Sequence, residues 1–331
     1  MPITSSIASW GEVYDCGSRE AEEAEFLALA QELLKVQEIN RQKSGGDAMR
    51  TFHAKMVVGV TNAQLVIDRD LPIRYKAGHF VPGAKLPAIV RLSNASGVPQ
   101  ADSQPDMRGM AVRLVLEAGV HHDLLMTNYP VSHARNVQQF VAFAVLASQD
   151  RAVMVEKLIS QFGKEEANRM LGNIQRGVRP SSSLAQECFW SRGAVLWASA
   201  GPVRFNMKPA EGTGIGPTDI ATSVDSLKDE FQNRLRSLDV CYRLSVQPFV
   251  SEENTPIEDG AVEWTEQVSP SIGIATLVIP RQVLGATYPS TSVDDIAFNP
   301  WNAPADFRPL GNLNRARRVI YAASAKGWLG R

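Results

Sequence analysis

The chain begins with one long helical pattern. Across residues 18–42, apolar side chains such as Phe26, Ala30, Leu33 and Leu34 recur at helical spacing, with glutamate and glutamine between them. This period predicts an amphipathic helix with one face toward a core. The glycine pair that follows interrupts the pattern, because glycine is a poor helix former.

From about residue 50 to residue 131 the pattern changes to short, β-rich apolar runs. Turn-forming segments such as VPGAKLP and ASGVPQADSQPD separate them. This alternation predicts an antiparallel meander that curls toward a barrel. The predicted strands are FHAKMVVGV, AQLVI, AIVRLSN, GMAVRLVLE and DLLMTNYPV.

The rest of the chain mixes helical and strand patterns. Helical period returns in NVQQFVAFAVLAS, in RAVMVEKLISQFGKEEANRMLGNIQ, around residues 222–236 and in the tail NRARRVIYAASAKGW. Further strands are predicted at GAVLWAS, PVRFNMKP, VCYRLSVQPFV, AVEWTE and GIATLVIP. No repeat, low-complexity tract or linker marks a domain boundary. We therefore predict a single domain over residues 1–331, with a helix at 18–42 and a core at 50–331.

Composition limits the classes of partner. Lys+Arg 34 against Asp+Glu 35 leaves a net charge of −1, which gives no reason to expect nucleic acid or an anionic membrane as a partner. No apolar stretch approaches the length of a membrane span, and the N-terminal residues do not resemble a signal peptide. Cys16, Cys188 and Cys241 are scattered and form no CxxC pair. Reduced thiols in a cytoplasmic protein are the expectation.

Two short motifs suggest chemistry that their context does not support. GTGIGP (212–217) is similar to a dinucleotide-binding loop, but it follows a poor strand and ends in proline instead of opening a helix. We predict a plain loop there. HHD (121–123) contains metal-ligand side chains, but neighbouring residues on a strand point to opposite faces. A solvated turn is the prediction for this motif.

Seven short segments of the chain carry a family resemblance through their order and spacing. RTFHAK, VRLSNASG, DSQPDMRGMAVRL and DLLMTNYPV come first, and PIEDGAVEW, IAFNPWNAPADFRPL and RRVIYA follow far downstream. In order and spacing they resemble the haem-containing catalase family. More narrowly, the chain is similar to the short catalase-related peroxidases, which keep the barrel core and lack the long arms and the extra C-terminal domain. The resemblance extends from about residue 20 to residue 331.

The resemblance implies that His53, in RTFHAK, is the distal histidine above the haem iron. Peroxide activation needs a base that moves a proton between the two oxygens, and imidazole titrates in a useful range. Ser93 matches the serine that orients this histidine. A lone histidine in a strand pattern is more often a satisfied core residue, but Arg50 and the six other segments favour the distal role.

Tyr321, in RRVIYA, matches the family's proximal tyrosinate ligand, with an ordinary core tyrosine as the alternative. Ferric iron and a nearby cation both favour the deprotonated phenol. Arg317 lies four residues before Tyr321, so on a helix the two side chains share a face. The arginine that the family places seven residues after the tyrosine is Trp328 here, which leaves Lys326 or Arg331 as stand-ins.

Further matches concern the haem edges and the substrate channel. Arg50 and Arg91 match arginines that pair with haem propionates, a task that suits a planar bidentate donor. Asp106 matches an acidic residue along the substrate channel. Phe140 and Phe143 lie where the family places aromatic residues over the distal haem face, and plain core positions are an equal alternative for both.

Two departures from the catalase pattern concern the distal side. Phe52 replaces the small valine that precedes the distal histidine in large catalases. The family's second distal residue is an asparagine whose amide binds peroxide, and spacing puts Thr127 at that position. Asn128 is the next residue, and a local backbone shift would bring it in. These losses argue against efficient peroxide disproportionation.

The resemblance implies an α+β fold, an antiparallel β-barrel surrounded by helices, with haem b between the barrel wall and a C-terminal helix. The implied activity is a haem peroxidase that uses hydrogen peroxide or an organic hydroperoxide to oxidise a small organic substrate, with weak catalase activity. A hydroperoxide isomerase or lyase that acts on fatty-acid hydroperoxides is the main alternative. A non-catalytic haem-binding protein is a third, which the preserved His53–Ser93 pair disfavours. The oligomeric state stays open, a homo-oligomer included.

Overall fold

The computed structural model describes residues 9–149, 151–217, 222–284 and 293–327. The strands are β1 Met56–Ile67, β2 Lys85–Asn94, β3 Arg108–Val115, β4 His121–Thr127, β5 Phe189–Ser191, β6 Val195–Leu196, β7 Pro202–Pro209, β8 Val240–Pro248 and β9 Ile272–Ile279. The α-helices are α1 Arg19–Lys43, α2 Val137–Ser148, α3 Arg151–Phe162, α4 Lys164–Gly177, α5 Ser226–Leu235 and α6 Asn312–Lys326.

The strands close into an eight-stranded antiparallel barrel. Their order is β5-β4-β3-β2-β1-β9-β8-β7, and β5 also pairs with β7, which closes the circle; the short β6 adds to β7 at its other edge. Closure leaves these eight strands without a long unpaired edge. The predicted α+β fold, an antiparallel β-barrel with surrounding helices, is confirmed.

Alternation along the strands separates the barrel interior from its outer wall. In β2, Leu92 packs in the apolar core inside the barrel, so Arg91 and Ser93 on either side point to the outer wall. Residues paired directly across antiparallel strands share a face. The outer side chains of β2, β3 and β4 therefore form rows across the wall.

Helices cover part of this outer wall. Ser18 caps α1 by accepting a hydrogen bond from the backbone of Ala21, and Phe26 of α1 packs with Val137 of α2 and Ala316 of α6. The apolar face predicted for residues 18–42 is thus the face that α1 buries. The long helical pattern that begins at residue 151 is two helices, because the chain turns at Gly163 with φ +83°.

The predicted strand AVEWTE is not a strand. Its carbonyl groups are satisfied by side chains instead of by a neighbouring strand: Arg204 donates to the Val262 carbonyl over 2.8 Å, and Gln247 donates to the Trp264 carbonyl over 2.7 Å. The Trp264 ring is buried beside Phe249. The apolar pattern that suggested a strand therefore comes from a tryptophan that is buried in a loop.

The predicted solvated turn at HHD is also wrong, because these residues begin β4 and two of them are buried. Asp123 forms two hydrogen bonds of 2.7 Å with Arg113. His122 Nδ1 lies 3.1 Å from His79 Nε2, and its ring packs against Phe307. Within the described ranges, no three His, Cys, Asp or Glu residues are arranged to hold a metal ion.

Acid should destabilise the fold through His122. Burial, with a smaller effect from His79, lowers the His122 pKa from 6.5 to about 3, so the folded protein holds this ring neutral. The stabilisation is complete above pH 6.5 and is lost as the pH falls toward 3, because the unfolded chain binds the proton first. We expect His122→Phe to reduce the loss of unfolding free energy between pH 7 and pH 5 by about 2 kcal/mol, measured by urea titration. An unchanged pH dependence would contradict this assignment.

The start of α6 is fixed by a buried ionic cluster. Arg315 is 7% exposed and contacts three carboxylates, with Glu22 at 2.7 Å, Glu258 at 2.9 Å and Glu12 at 3.1 Å. Removing Arg315 would take away the cation that these carboxylates share, and loss of one partner of a buried ion pair costs about 3–5 kcal/mol. The cluster therefore holds α6 against α1 and the N-terminal segment. No helix in the described part of the chain has the length and apolar character needed to cross a bilayer.

Candidate active site on the outer wall of the barrel

His53 does not lie in a strand, as RTFHAK suggested, but in the loop just before β1. Its backbone has φ +57°, a left-handed conformation that is uncommon for residues other than glycine. Two hydrogen bonds hold it there: its N–H donates to the Ala95 carbonyl over 3.1 Å, and its carbonyl accepts from Arg91 Nη2 over 2.9 Å. The loop therefore places the imidazole against the wall instead of within it.

The His53 ring is oriented by Ser93 and lies over a glycine. Its Nδ1 atom is 3.0 Å from Ser93 Oγ. Ser93 pairs with Gly109 across β2 and β3, so both face outward. A Cβ atom at Gly109 would lie 2.5 Å from His53 Nδ1 and 2.8 Å from Ser93 Oγ. Only glycine leaves room for this ring on the wall.

Gly109→Ala should displace the imidazole and destabilise the protein. Overpacking of a close contact costs about 1–3 kcal/mol, which urea unfolding would detect. A suitable control is Gly172→Ala in α4, where the nearest atom is the mobile end of Arg176 at 3.3 Å. Unchanged stability, with the His53–Ser93 contact intact in a crystal structure of Gly109→Ala, would contradict this role.

The register of the wall distinguishes Thr127 from Asn128. Thr127 pairs with Gly109 across β3 and β4, so Ser93, Gly109 and Thr127 form one outward row. Asn128 is fully buried on the opposite side: it accepts from the Arg108 backbone over 2.7 Å and donates to Glu187 over 3.0 Å. The Asn128 amide is therefore engaged within the protein, and Thr127 is the residue of the two that lies on the row of Ser93 and Gly109.

Arg50 and Arg91 converge on one carboxylate. Arg50 Nη1 lies 3.0 Å from Asp294 Oδ1, and Arg91 Nη2 lies 2.8 Å from the same oxygen. Arg50 also donates to the Ile296 carbonyl over 3.0 Å. The pair predicted to bind haem propionates thus binds a protein carboxylate here. The two guanidinium groups have the geometry to bind a carboxylate together.

Tyr321 and Arg317 interact on α6 as their spacing predicts. Arg317 Nη2 donates to the Tyr321 hydroxyl over 2.9 Å, and the guanidinium carbon lies 4.9 Å from the ring centre. Asn314, one turn earlier, donates to the Ala194 carbonyl over 2.9 Å and so ties α6 to the segment before β6. The phenol therefore sits beside a fixed positive charge.

The field around His53 is strongly positive. Its pKa is lowered to about 3, first by burial and then by four guanidinium groups, those of Arg91, Arg192, Arg317 and Arg50. At neutral pH the imidazole is therefore uncharged. Arg317 is thus within electrostatic reach of both His53 and Tyr321, which connects the wall with α6.

The aromatic candidates lie in two different clusters. Phe140 meets Phe52 edge to face, with ring centres 5.7 Å apart, so it lies next to the His53 loop. Phe143 packs with Leu158 and Met170 of α3 and α4, and its ring also contacts His133, as the Phe140 ring does.

Asp106 is buried beside the His53 loop. It accepts hydrogen bonds from Ser96 N at 3.0 Å and Gln100 Nε2 at 2.8 Å, and burial raises its pKa. These contacts give it a structural role in the loop that precedes β3.

The donor set of the site fits a haem group. A tyrosine beside an arginine suits a ferric ligand, an oriented neutral imidazole suits a proton acceptor, and the Arg50–Arg91 pair suits a carboxylate. The glycine beneath His53 is a further adaptation to this ring. Trp328 and the stand-in Arg331 lie outside the described residues, and Lys326 is exposed at the end of α6.

Four residues of this region were missed by sequence reasoning. Gly109 lies within the segment DSQPDMRGMAVRL, and His133 follows the segment DLLMTNYPV. Neither spacing nor residue type distinguishes them from their neighbours as site residues. Asp294 and Arg192 come from the segments after β9 and β5, and nothing in their local sequence marks them. Only the closure of the barrel brings them to the same wall.

Comparison with known sequences supports the resemblance. Residues 21–158 match the sequence profile of the catalase family. The chain is 26% identical over 288 residues to a catalase-related peroxidase of Mycolicibacterium paratuberculosis, which covers 84% of this chain and 88% of the relative. The resemblance to the catalase family and its short, peroxidase-related members is confirmed.

Solved structures agree with the fold. A fungal catalase superposes with a TM-score of 0.67 at 19% identity, covering 84% of this chain and 59% of that one. A bacterial catalase gives 0.63 at 19% identity, covering 98% and 63%. Catalase A from Saccharomyces cerevisiae gives 0.65 at 15% identity, covering 84% and 61%. The chain therefore spans less than two thirds of these catalases and shares their fold.

Proposed function

Since residues 21–158 of this chain belong to the catalase family and the described chain has the catalase fold, we propose that it is a haem-dependent peroxidase. In this proposal it uses hydrogen peroxide or an organic hydroperoxide to oxidise a small organic molecule, and its catalase activity is weak. The observation that carries the proposal is the hydrogen-bonded pair of His53 and Ser93 over Gly109. A protein that only binds haem has no need of an oriented base.

Four side chains would hold the haem. Tyr321 would bind the iron, and Arg317 donates to its hydroxyl over 2.9 Å. Arg50 and Arg91 would bind the propionates, exchanging the Asp294 carboxylate for those of the haem. When bound, haem iron would supply the redox chemistry that accepts two electrons from a donor and passes them to peroxide.

His53 would move the proton. Its Nδ1 atom is engaged by Ser93 Oγ, which leaves Nε2 to face a bound peroxide. The low pKa keeps the ring uncharged, so it can accept a proton from one peroxide oxygen and return it to the other. The surrounding arginines would also draw anionic substrates into the site.

Thr127 accounts for the weak catalase activity that we propose. It occupies the outward row beside His53 and Gly109, but a hydroxyl replaces the peroxide-binding amide, and its Oγ1 lies 3.4 Å from the Tyr129 carbonyl. A single positioned donor is worth about 10²–10³-fold in other enzymes.

Thr127→Asn should therefore raise the rate of oxygen release from hydrogen peroxide by about tenfold or more. Thr127→Val, which has the same shape and no donor, is the control and should not raise it. An oxygen electrode measures both variants. If Asn and Val have the same effect, Thr127 does not occupy the second distal position.

An absorption spectrum of haem-reconstituted protein is the first test. We expect a high-spin ferric Soret band with tyrosinate charge-transfer features. Peroxide-dependent oxidation of guaiacol should follow, with about two donor molecules oxidised per peroxide, because the donor returns two electrons in single steps. Rearranged products of a fatty-acid hydroperoxide without consumed donor would instead indicate an isomerase or lyase. Absence of haem binding would end the proposal.

A further inference from the structure

One guanidinium group near the site lacks an acidic partner. Arg192, between β5 and β6, donates to the Val131 carbonyl and lies 3.7 Å from Met107 Sδ. Both acceptors are neutral, and no carboxylate of the described residues forms an ion pair with Arg192. Burial lowers its pKa to about 10, yet the group remains charged at neutral pH. An enclosed positive charge without a counter-ion favours an anionic ligand.

A narrow crevice adjoins this charge. It is lined by Leu125, Arg192, Gly193 and the α6 residues Asn314 and Arg317. Arg317 donates to the Asn314 and Tyr321 side chains, neither of which is a carboxylate. One acidic residue, Asp123, also lines the crevice, but Arg113 already neutralises it. Arg192 and Arg317 both line the crevice, and neither has a carboxylate partner among the described residues.

A second polar group nearby is also unsatisfied. His133 is 7% exposed, and its Nε2 atom has no hydrogen-bond partner among the described residues. Its ring lies between Phe140 and Phe143, with ring centres 5.1 and 4.6 Å away. Burial and then the charge of Arg192 lower its pKa to about 3, so the two groups are close. Buried polar atoms without partners are rare and call for an explanation.

Arg192 comes from a different part of the barrel than the Arg50–Arg91 pair. Trp190 of β5 pairs with Thr127 of β4, and Arg192 comes directly after β5. In the sheet, β5 lies three strands away from β2, which carries Arg91. At a strand spacing of about 4.8 Å, the offset is about 14 Å. The charges of Arg50, Arg91 and Arg192 all act on His53, so Arg192 would offer a further carboxylate-binding position beside the Arg50–Arg91 pair.

We propose that Arg192 binds the carboxylate of the organic substrate, with His133 as a neighbouring polar contact. The substrate class is a small organic acid, either as electron donor or as hydroperoxide, whose reactive group lies a short distance from its carboxylate. This inference rests on the proposed function and assigns its substrate class. The shared chemistry is a carboxylate, and a haem propionate is the other source that the experiment must exclude.

The test compares 3-(4-hydroxyphenyl)propionate with its methyl ester, which has the same phenol and no charge. Isothermal titration on the haem-loaded protein gives Kd for each, and oxidation with hydrogen peroxide gives KM for each. We expect the acid to bind at least about tenfold more tightly than the ester, as one charged hydrogen bond would provide. In Arg192→Gln the acid-to-ester ratio should approach one, whereas Arg192→Lys should keep part of the preference.

The control is Arg243→Gln, which removes an arginine paired with Asp68 on the other side of the barrel and should keep the full ratio. Equal Kd values for acid and ester in the unaltered protein would overturn the inference, whatever the variants do. So would a loss of haem affinity in Arg192→Gln with the ratio unchanged, because Arg192 would then bind a propionate. If neither compound is oxidised although haem is bound, the proposed function fails, while a tenfold Kd ratio lost in Arg192→Gln would still support the carboxylate site. Failure to bind haem would overturn both.

Discussion

Replacing Tyr321 by phenylalanine should release the haem. The change removes one hydroxyl, which is the oxygen that accepts a 2.9 Å hydrogen bond from Arg317 and the proposed iron ligand. Loss of residues that only support a metal ligand costs about 10–100-fold in affinity, so loss of the ligand itself should exceed about 100-fold. Haem transfer from the variant to apomyoglobin, followed by absorption, measures the loss. Peroxidase activity should fall with the bound fraction.

Tyr129→Phe is the matched control. This tyrosine accepts a hydrogen bond from Arg176 over 2.9 Å and is close enough to Arg192 to affect the pKa of that arginine. Unlike Tyr321, it does not lie on α6. It should retain haem. If Tyr321→Phe kept haem with an unaltered spectrum and full activity, the proximal face would be assigned to the wrong residue.

His53→Ala should have the opposite profile, with haem retained and activity lost. His53 has no proposed bond to iron, so the ferric spectrum should persist. The peroxidase rate should fall by about 10²-fold or more, the usual contribution of a positioned acid–base group. Stopped-flow mixing with hydrogen peroxide isolates this step from donor oxidation, and there the variant should be slow even at saturating donor concentrations.

His121→Ala controls for the loss of an imidazole as such, because His121 lies at the start of β4 and takes no part in the proposed site. Ser93→Ala provides an intermediate case, since it keeps the base and removes its 3.0 Å partner. We expect it to be slower than the unaltered protein and faster than His53→Ala. Should His53→Ala lose its haem while Tyr321→Phe keeps it, the two faces are reversed and the mechanism is wrong.

The barrel could be predicted from sequence because its strands alternate. Runs such as AIVRLSN place apolar side chains on one face over several residues, and that period survives in β2. The loop of His53 could not be predicted, because RTFHAK runs without a break into the apolar residues of β1. Its left-handed backbone depends on contacts with Ala95 and Arg91, which lie some forty residues away.

The distinction between Thr127 and Asn128 also required the structure. Adjacent strand residues point to opposite faces, so an error of one residue in register exchanges their roles. Sequence spacing suggested Thr127 but left a backbone shift open, whereas the pairing with Gly109 fixes the face. Asp294 and Arg192 reach the wall from segments far along the chain. No local pattern records such long-range contacts.

The ionic cluster at Arg315 also bears on the order in which the protein is completed during synthesis. Arg315 joins Glu22 across 293 positions and Glu12 across 303 positions of the chain. A ribosome produces the chain from its N-terminus, so the loop of His53 and the first barrel strands emerge long before α6. Until then Glu12 and Glu22 lack this partner, and Tyr321 has not yet been made. We therefore expect nascent chains stalled before residue 312 to bind no haem, however much of the barrel they contain.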